Sequence, residues 1–173
     1  MPRHPERAAE PFRRNASSWR VLAARGRNRE AETILRRAIA LNSKVAAAHN
    51  NLGNAVKAQD RIEESLVCYD RTIALEANSA ETWLRSGNVL IHLKRPRDAL
   101  ASYDRALALD PHYVDALINR SAALEGLGRP EDALADLERA LALGPDDPGG
   151  QNARRRRWIQ SRDLLAGQSG PVC

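Results

Sequence analysis

The sequence predicts an all-α chain built as a solenoid of antiparallel helix pairs, and three observations lead there. Shifting the chain against itself by 34 residues lays like residues on like. Aromatic residues make up only 4% of the 173, with ten Gly and nine Pro, while Ala, Leu and Arg recur throughout. That mixture suits helices packed through small side chains. The apolar spacing is helical in every repeat, and no segment carries a strand pattern.

The 34-residue offset aligns Ala31, Ser65, Ala99 and Ala133, and with them Leu35, Tyr69, Tyr103 and Leu137. It aligns Ala38, Thr72, Ala106 and Ala140, and earlier in each repeat Leu22, Val56, Leu90 and Leu124. Four contiguous units follow, at 12–45, 46–79, 80–113 and 114–147.

Unit 3 places Trp83, Gly87, Leu90, Ala99, Tyr103, Ala106 and Pro111 in order, and unit 2 adds Leu52, Gly53 and Tyr69. This pattern resembles the tetratricopeptide repeat, over 136 of the 173 residues. The resemblance implies a right-handed superhelix in which each unit contributes a helix A and a helix B. In that arrangement a small residue at Gly53, Gly87 and Ser121 lets helix A approach helix B, and Ala99 and Ala133 serve the same purpose from the other side. Pro96 and Pro130 suit the first turn of helix B, where a missing N–H costs nothing. Asp98, Glu131 and Asp132 sit near the positive end of the helix dipole. Pro111 and Pro145 close their units.

Unit 1 departs from the pattern, with Asn15 at the aromatic position and Trp19 where a small residue belongs, as in a modified cap or a degenerate repeat. Asp60 and Lys94 replace the Gly found at Gly26 and Gly128 in the turn from helix A to helix B, so the unit 3 turn is expected to differ. Beyond Asp147, Trp158, Ile159 and Leu165 fall on one helical stripe, and residues 148–173 are expected to form a basic capping helix and tail. Residues 1–11 are expected to be a disordered lead.

Charge and composition exclude several function classes. Residues 1–45 carry +7, 46–147 carry −6 and 148–173 carry +4, which makes up the net +5. The acidic repeats repel phosphate, leaving basic ends such as Arg154 to Arg157 as the only nucleic-acid candidates. No apolar run is long enough for a signal core or a membrane span, and Cys68 and Cys173 fit neither a metal motif nor a disulfide framework. A reducing, cytoplasmic setting without a cofactor is the expectation. Neither a phosphate loop nor HExxH nor CxxC occurs, and His4, His49, His92 and His112 are dispersed, His49 at the place of the family Trp. The chain is therefore expected to be no enzyme, and Cys68 a structural thiol.

The resemblance also implies where a ligand would lie, because successive A helices line the concave face. The implied positions are Asn50, Asn51, Asn54 and Lys57 in unit 2, and Glu81, Leu84, Arg85, Asn88 and Ile91 in unit 3. Unit 4 contributes Asp115, Ile118, Asn119 and Glu125. Asn offers a donor and an acceptor and can hold a peptide backbone without demanding a sequence. Chaperone-binding relatives use two Asn among three cations. Asn88 and Asn119 match that pattern here, but Leu84, Gly149 and Ala153 replace cations. The functional expectation is an adaptor for a protein or peptide partner, with no membrane and with self-association open. Its rivals are the repeat portion of an O-linked glycosyltransferase-type protein, suggested by Asn51 and Asn119, and a nucleic-acid-associated protein using its basic ends.

Overall fold

The computed structural model describes residues 19–144, so the expected N-terminal lead, Asn15 and the C-terminal cap lie outside the described residues. Helix α1 spans residues 19–24. It is followed by α2 (Asn28–Leu41), α3 (Ala46–Lys57), α4 (Ile62–Leu75), α5 (Ala80–His92), α6 (Pro96–Leu109), α7 (Val114–Gly126) and α8 (Pro130–Leu143). The B helices α2, α4, α6 and α8 begin 34 residues apart, and so do the A helices α3, α5 and α7. No strand occurs among the described residues. The protein is an all-α solenoid of helix pairs.

The helix-to-helix turns repeat as closely as the helices. Gly26 (φ 72°), Asp60 (φ 61°), Lys94 (φ 58°) and Gly128 (φ 72°) all take the left-handed conformation. The next residue is Arg each time, and the backbone N–H of Arg27, Arg61, Arg95 and Arg129 reaches back to the carbonyl of Leu22, Val56, Leu90 and Leu124 at 2.8–3.1 Å. These are Schellman closures. The unit 3 turn was expected to differ; instead Lys94 adopts the same geometry, because the paired hydrogen bonds impose it on whatever residue is present. Each Arg then pairs with the acid three residues on, Glu30, Glu64, Asp98 or Asp132, fastening the first turn of helix B.

Within units 2 to 4 a small residue on helix A faces the helix B side chain at the point of closest approach. A Cβ added at Gly53 would stand 2.7 Å from Cε1 of Tyr69, and one at Gly87 only 2.4 Å from Cε1 of Tyr103. Both Tyr rings are fully buried against those glycines. Unit 4 combines Ser121 with Leu137, and unit 1 combines Trp19 with Leu35. Trp19 is half-buried and packs on the cluster of Leu35, Leu52, Ala55, Val56 and Cys68. Unit 1 departs from this pairing, because it sets Trp19 where unit 4 has Ser121, with Leu on helix B in both.

Candidate functional site: the A-helix face

Side chains on successive A helices are tied to one another and to the B helices behind them. The Asn54 Oδ1 accepts from the Tyr69 hydroxyl at 2.8 Å and from Arg85 Nη1 of the next unit at 2.6 Å. The Asn88 Oδ1 accepts from the Tyr103 hydroxyl at 2.9 Å and from Asn119 Nδ2 of the next unit at 2.9 Å. Arg85 is also ion-paired with Glu81. Burial pushes the Tyr69 phenol up to about 12, against the pull of Arg85, and burial raises Tyr103 as well. Both hydroxyls therefore keep their protons, and each holds its Asn with the carbonyl oxygen turned inward and the NH2 group outward.

Lys57, Asn88, Ile91, His92, Tyr103 and Asn119 line a cavity of about 320 Å³ where α3, α5 and α7 meet. The structure thus brings Lys57, Asn88 and Asn119 into one concavity, with Asn54 and Arg85 forming a second hydrogen-bonded node on the same row of helices. Asn50 is half-buried, and its Oδ1 has no hydrogen-bond partner among the described residues. Asn51 is half-buried as well. Leu84 was expected to face a ligand, but it is buried in the core cluster with Leu90, Tyr103 and Leu117. Its apolar side chain gains more from that cluster than from an open polar face. Ile118 is half-buried and packs against the same cluster.

Three features escaped the expectation. His92 lines the cavity although its position carries no ligand role in the family pattern. The Tyr hydroxyls orient the asparagines, and the sequence signal for this was present, since Asn54 precedes Tyr69 by the same interval as Asn88 precedes Tyr103. The third is the orphaned Asn50 oxygen, for which the sequence holds no signal.

Elsewhere, His49 stands where unit 3 has Trp83 and makes the same bond. Its Nε2 lies 3.0 Å from the Ser43 carbonyl, as Trp83 Nε1 lies 2.9 Å from that of Ala77. Cys68 is buried, and burial raises its thiol to about 11, which keeps the unreactive protonated form. Among the described residues no His, Cys, Asp and Glu cluster is arranged to hold a metal, and no helix is long and apolar enough to cross a membrane.

A family model described as the tetratricopeptide repeat matches residues 20–80, 57–113 and 84–148. Among solved structures the chain is similar to PilF of Pseudomonas aeruginosa, with a TM-score of 0.75 at 20% identity over 95% of this chain and 79% of that one. It is similar to MamA, with a TM-score of 0.70 at 22% identity over 72% and 73%. A third likeness is to the first repeat domain of Spaghetti (RPAP3) bound to the HSP90 peptide SRMEEVD, with a TM-score of 0.60 at 23% identity over 66% and 93%. Comparison with the curated proteins finds no match.

Proposed function

The chain belongs to the tetratricopeptide repeat family, and from that premise we propose that it is a non-catalytic adaptor holding an extended peptide or partner-protein segment along the concave face of its A helices. One observation carries the reading: the Asn54 and Asn88 oxygens each accept from a buried Tyr hydroxyl and from a donor of the next unit, which leaves their N–H groups for a ligand at one-repeat intervals. An extended chain presents carbonyl oxygens to match. Asn119 and Arg85 extend the row, and Asn50 and Asn51 lie at its N-terminal end. The peptide held by the Spaghetti repeat domain supports this mode of use for the fold. The replacement of a family cation by buried Leu84 argues for a different ligand here.

The partner is to be captured with the intact protein and identified by mass spectrometry. Affinity is then compared for a variant combining Asn54→Ala and Asn88→Ala with Tyr69→Phe and Tyr103→Phe, so that no buried hydroxyl is orphaned. Two lost hydrogen bonds should weaken binding about tenfold or more while helicity is retained. Unchanged affinity in a folded variant would place the partner elsewhere on the molecule.

A further inference from the structure

The cavity between α3, α5 and α7 is built of two kinds of surface. Ile91, Ala122 and Ala123 give it apolar walls, and Lys57, His92, Asn88 and Asn119 give it polar ones. The Asn88 oxygen is consumed by two donors, so the atom left to a ligand is its N–H. Reversing that amide would lose the bond from Asn119 Nδ2 and turn the Tyr103 hydroxyl from donor to acceptor. The Lys57 ammonium can only donate. None of the residues lining the cavity is acidic, and among the described residues neither Lys57 nor His92 has an ion-pair partner. The acceptors on these walls are the Asn119 oxygen, whose own N–H is spent on Asn88, the Tyr103 hydroxyl oxygen and one His92 nitrogen when that ring is neutral, so Lys57 is the group that sets the sign of the ligand charge.

Resting on the peptide-holding reading above, we infer that this cavity receives the side chain of an acidic residue within the bound chain, Glu above all. Its carboxylate meets the Lys57, His92 and Asn88 donors, and its methylenes meet Ile91, Ala122 and Ala123. The volume of about 320 Å³ exceeds what a bare carboxylate fills. The hydrogen-bonding row continues past the cavity to Asn54 and Arg85, so a chain seated here runs on into the preceding unit rather than stopping. A chain-internal Glu is thereby favoured over a terminal carboxylate.

Three pentapeptides test the inference against the full-length, isotope-labelled protein. The first is acetyl-Ala-Ala-Glu-Ala-Ala-amide, the second has Gln at the centre, and the third is the Gln peptide with a free C-terminal carboxylate. The Glu peptide should bind about tenfold tighter than the blocked Gln peptide and should shift the side-chain amide signals of Asn88 and Asn119. Lys57→Gln should erase the preference, whereas Lys44→Gln, a change at an exposed lysine outside the cavity, should keep it. Equal binding of the Glu and blocked Gln peptides overturns the inference, and so does a free-carboxylate Gln peptide that matches the Glu peptide. Absence of binding by all three overturns it too; the broader peptide-holding reading is then decided separately by the four-substitution variant against the captured partner.

Discussion

The two halves of the array fill the same 34-residue template with different chemistry. In units 3 and 4 a single cluster of ten buried residues runs from Leu84 to Ala140 and gathers Trp83, Tyr113 and Ile118 around it. Among the described residues of units 1 and 2 the corresponding cluster has five buried residues, with Trp19 and Ile39 packed against it. Beside that cluster the N-terminal half sets charge. Glu32 of α2 meets Arg36 at 2.8 Å, Arg61 at 2.7 Å and Gln59 at 2.9 Å, and Glu64 pairs with both arginines. The C-terminal half has a smaller ion cluster, in which Arg120 joins Asp104 and buried Asp136 at 2.6 Å each. A repeat therefore specifies where helices meet, while the strength of the junction depends on what occupies it. The C-terminal half should be the more stable, since burial of apolar area outweighs partly exposed ion pairs.

The sharpest way to break this comparison is to remove one packed ring from each half. Tyr103→Ala should cost about 3–5 kcal/mol, because the ring is fully buried, whereas half-buried Trp19→Ala should cost about half as much. Chemical denaturation measures both, and equal losses would mean that the two clusters are energetically alike.

Next in size is overpacking. Gly87→Ala sets a methyl 2.4 Å from the Tyr103 ring and should destabilise by about 2 kcal/mol despite the better helix propensity of Ala. Gly53→Ala, at 2.7 Å, should cost less. Combining Gly87→Ser with Tyr103→Leu, the pair used by unit 4, should recover much of the loss in melting temperature.

Acid separates the halves through Glu32. Burial alone would raise its pKa, but hydrogen bonds from Gln59, Arg61 and Arg36 overcome this and lower it to about 2. A carboxyl held below its unfolded value stabilises fully above that value, and the contribution fades as pH falls toward 2. Amide protection factors in α2 and α4, corrected for the intrinsic exchange rate at each pH, should therefore fall between about pH 4.5 and 2 before they do in α6 and α7. Glu32→Gln should flatten that difference and cost about 1 kcal/mol at neutral pH. Acid loosening both halves together, or unaffected by Glu32→Gln, would sever the link.

The smallest effect belongs to the turns. Lys94→Gly relieves a left-handed lysine and should raise stability by about 1 kcal/mol, whereas Asp60→Gly should gain less, since Asp tolerates that region better. A loss on Lys94→Gly would show that the lysine side chain contributes something beyond the turn.

The period, the helix pairs and the small-residue contacts were legible because one register repeats them, so that Gly53, Gly87, Ala99 and Ala133 confirm one another. Leu84 was misread for a physical reason: a position in a repeat fixes direction, but an apolar side chain at an edge folds into whatever core it can reach. The asparagines were legible as polar and not as oriented, since which amide atom faces outward is decided by partners fifteen and thirty-one residues away. The Arg after each left-handed residue was readable from its spacing to the next acid, and shows that charge can repeat as faithfully as apolar pattern.

The backbone closure of each of those turns is local, as from Leu22 to Arg27 or from Leu90 to Arg95, although Gln59 and Arg61 also reach Glu32 of the preceding unit. A backbone reversal closed by near neighbours is indifferent to what lies beyond it. Duplication of any 34-codon block brings a complete reversal along with the new helices, and deletion of one removes a reversal without leaving a loose end. The length of the array, and with it the reach along which a partner can lie, is therefore a quantity that inheritance can change by whole repeats.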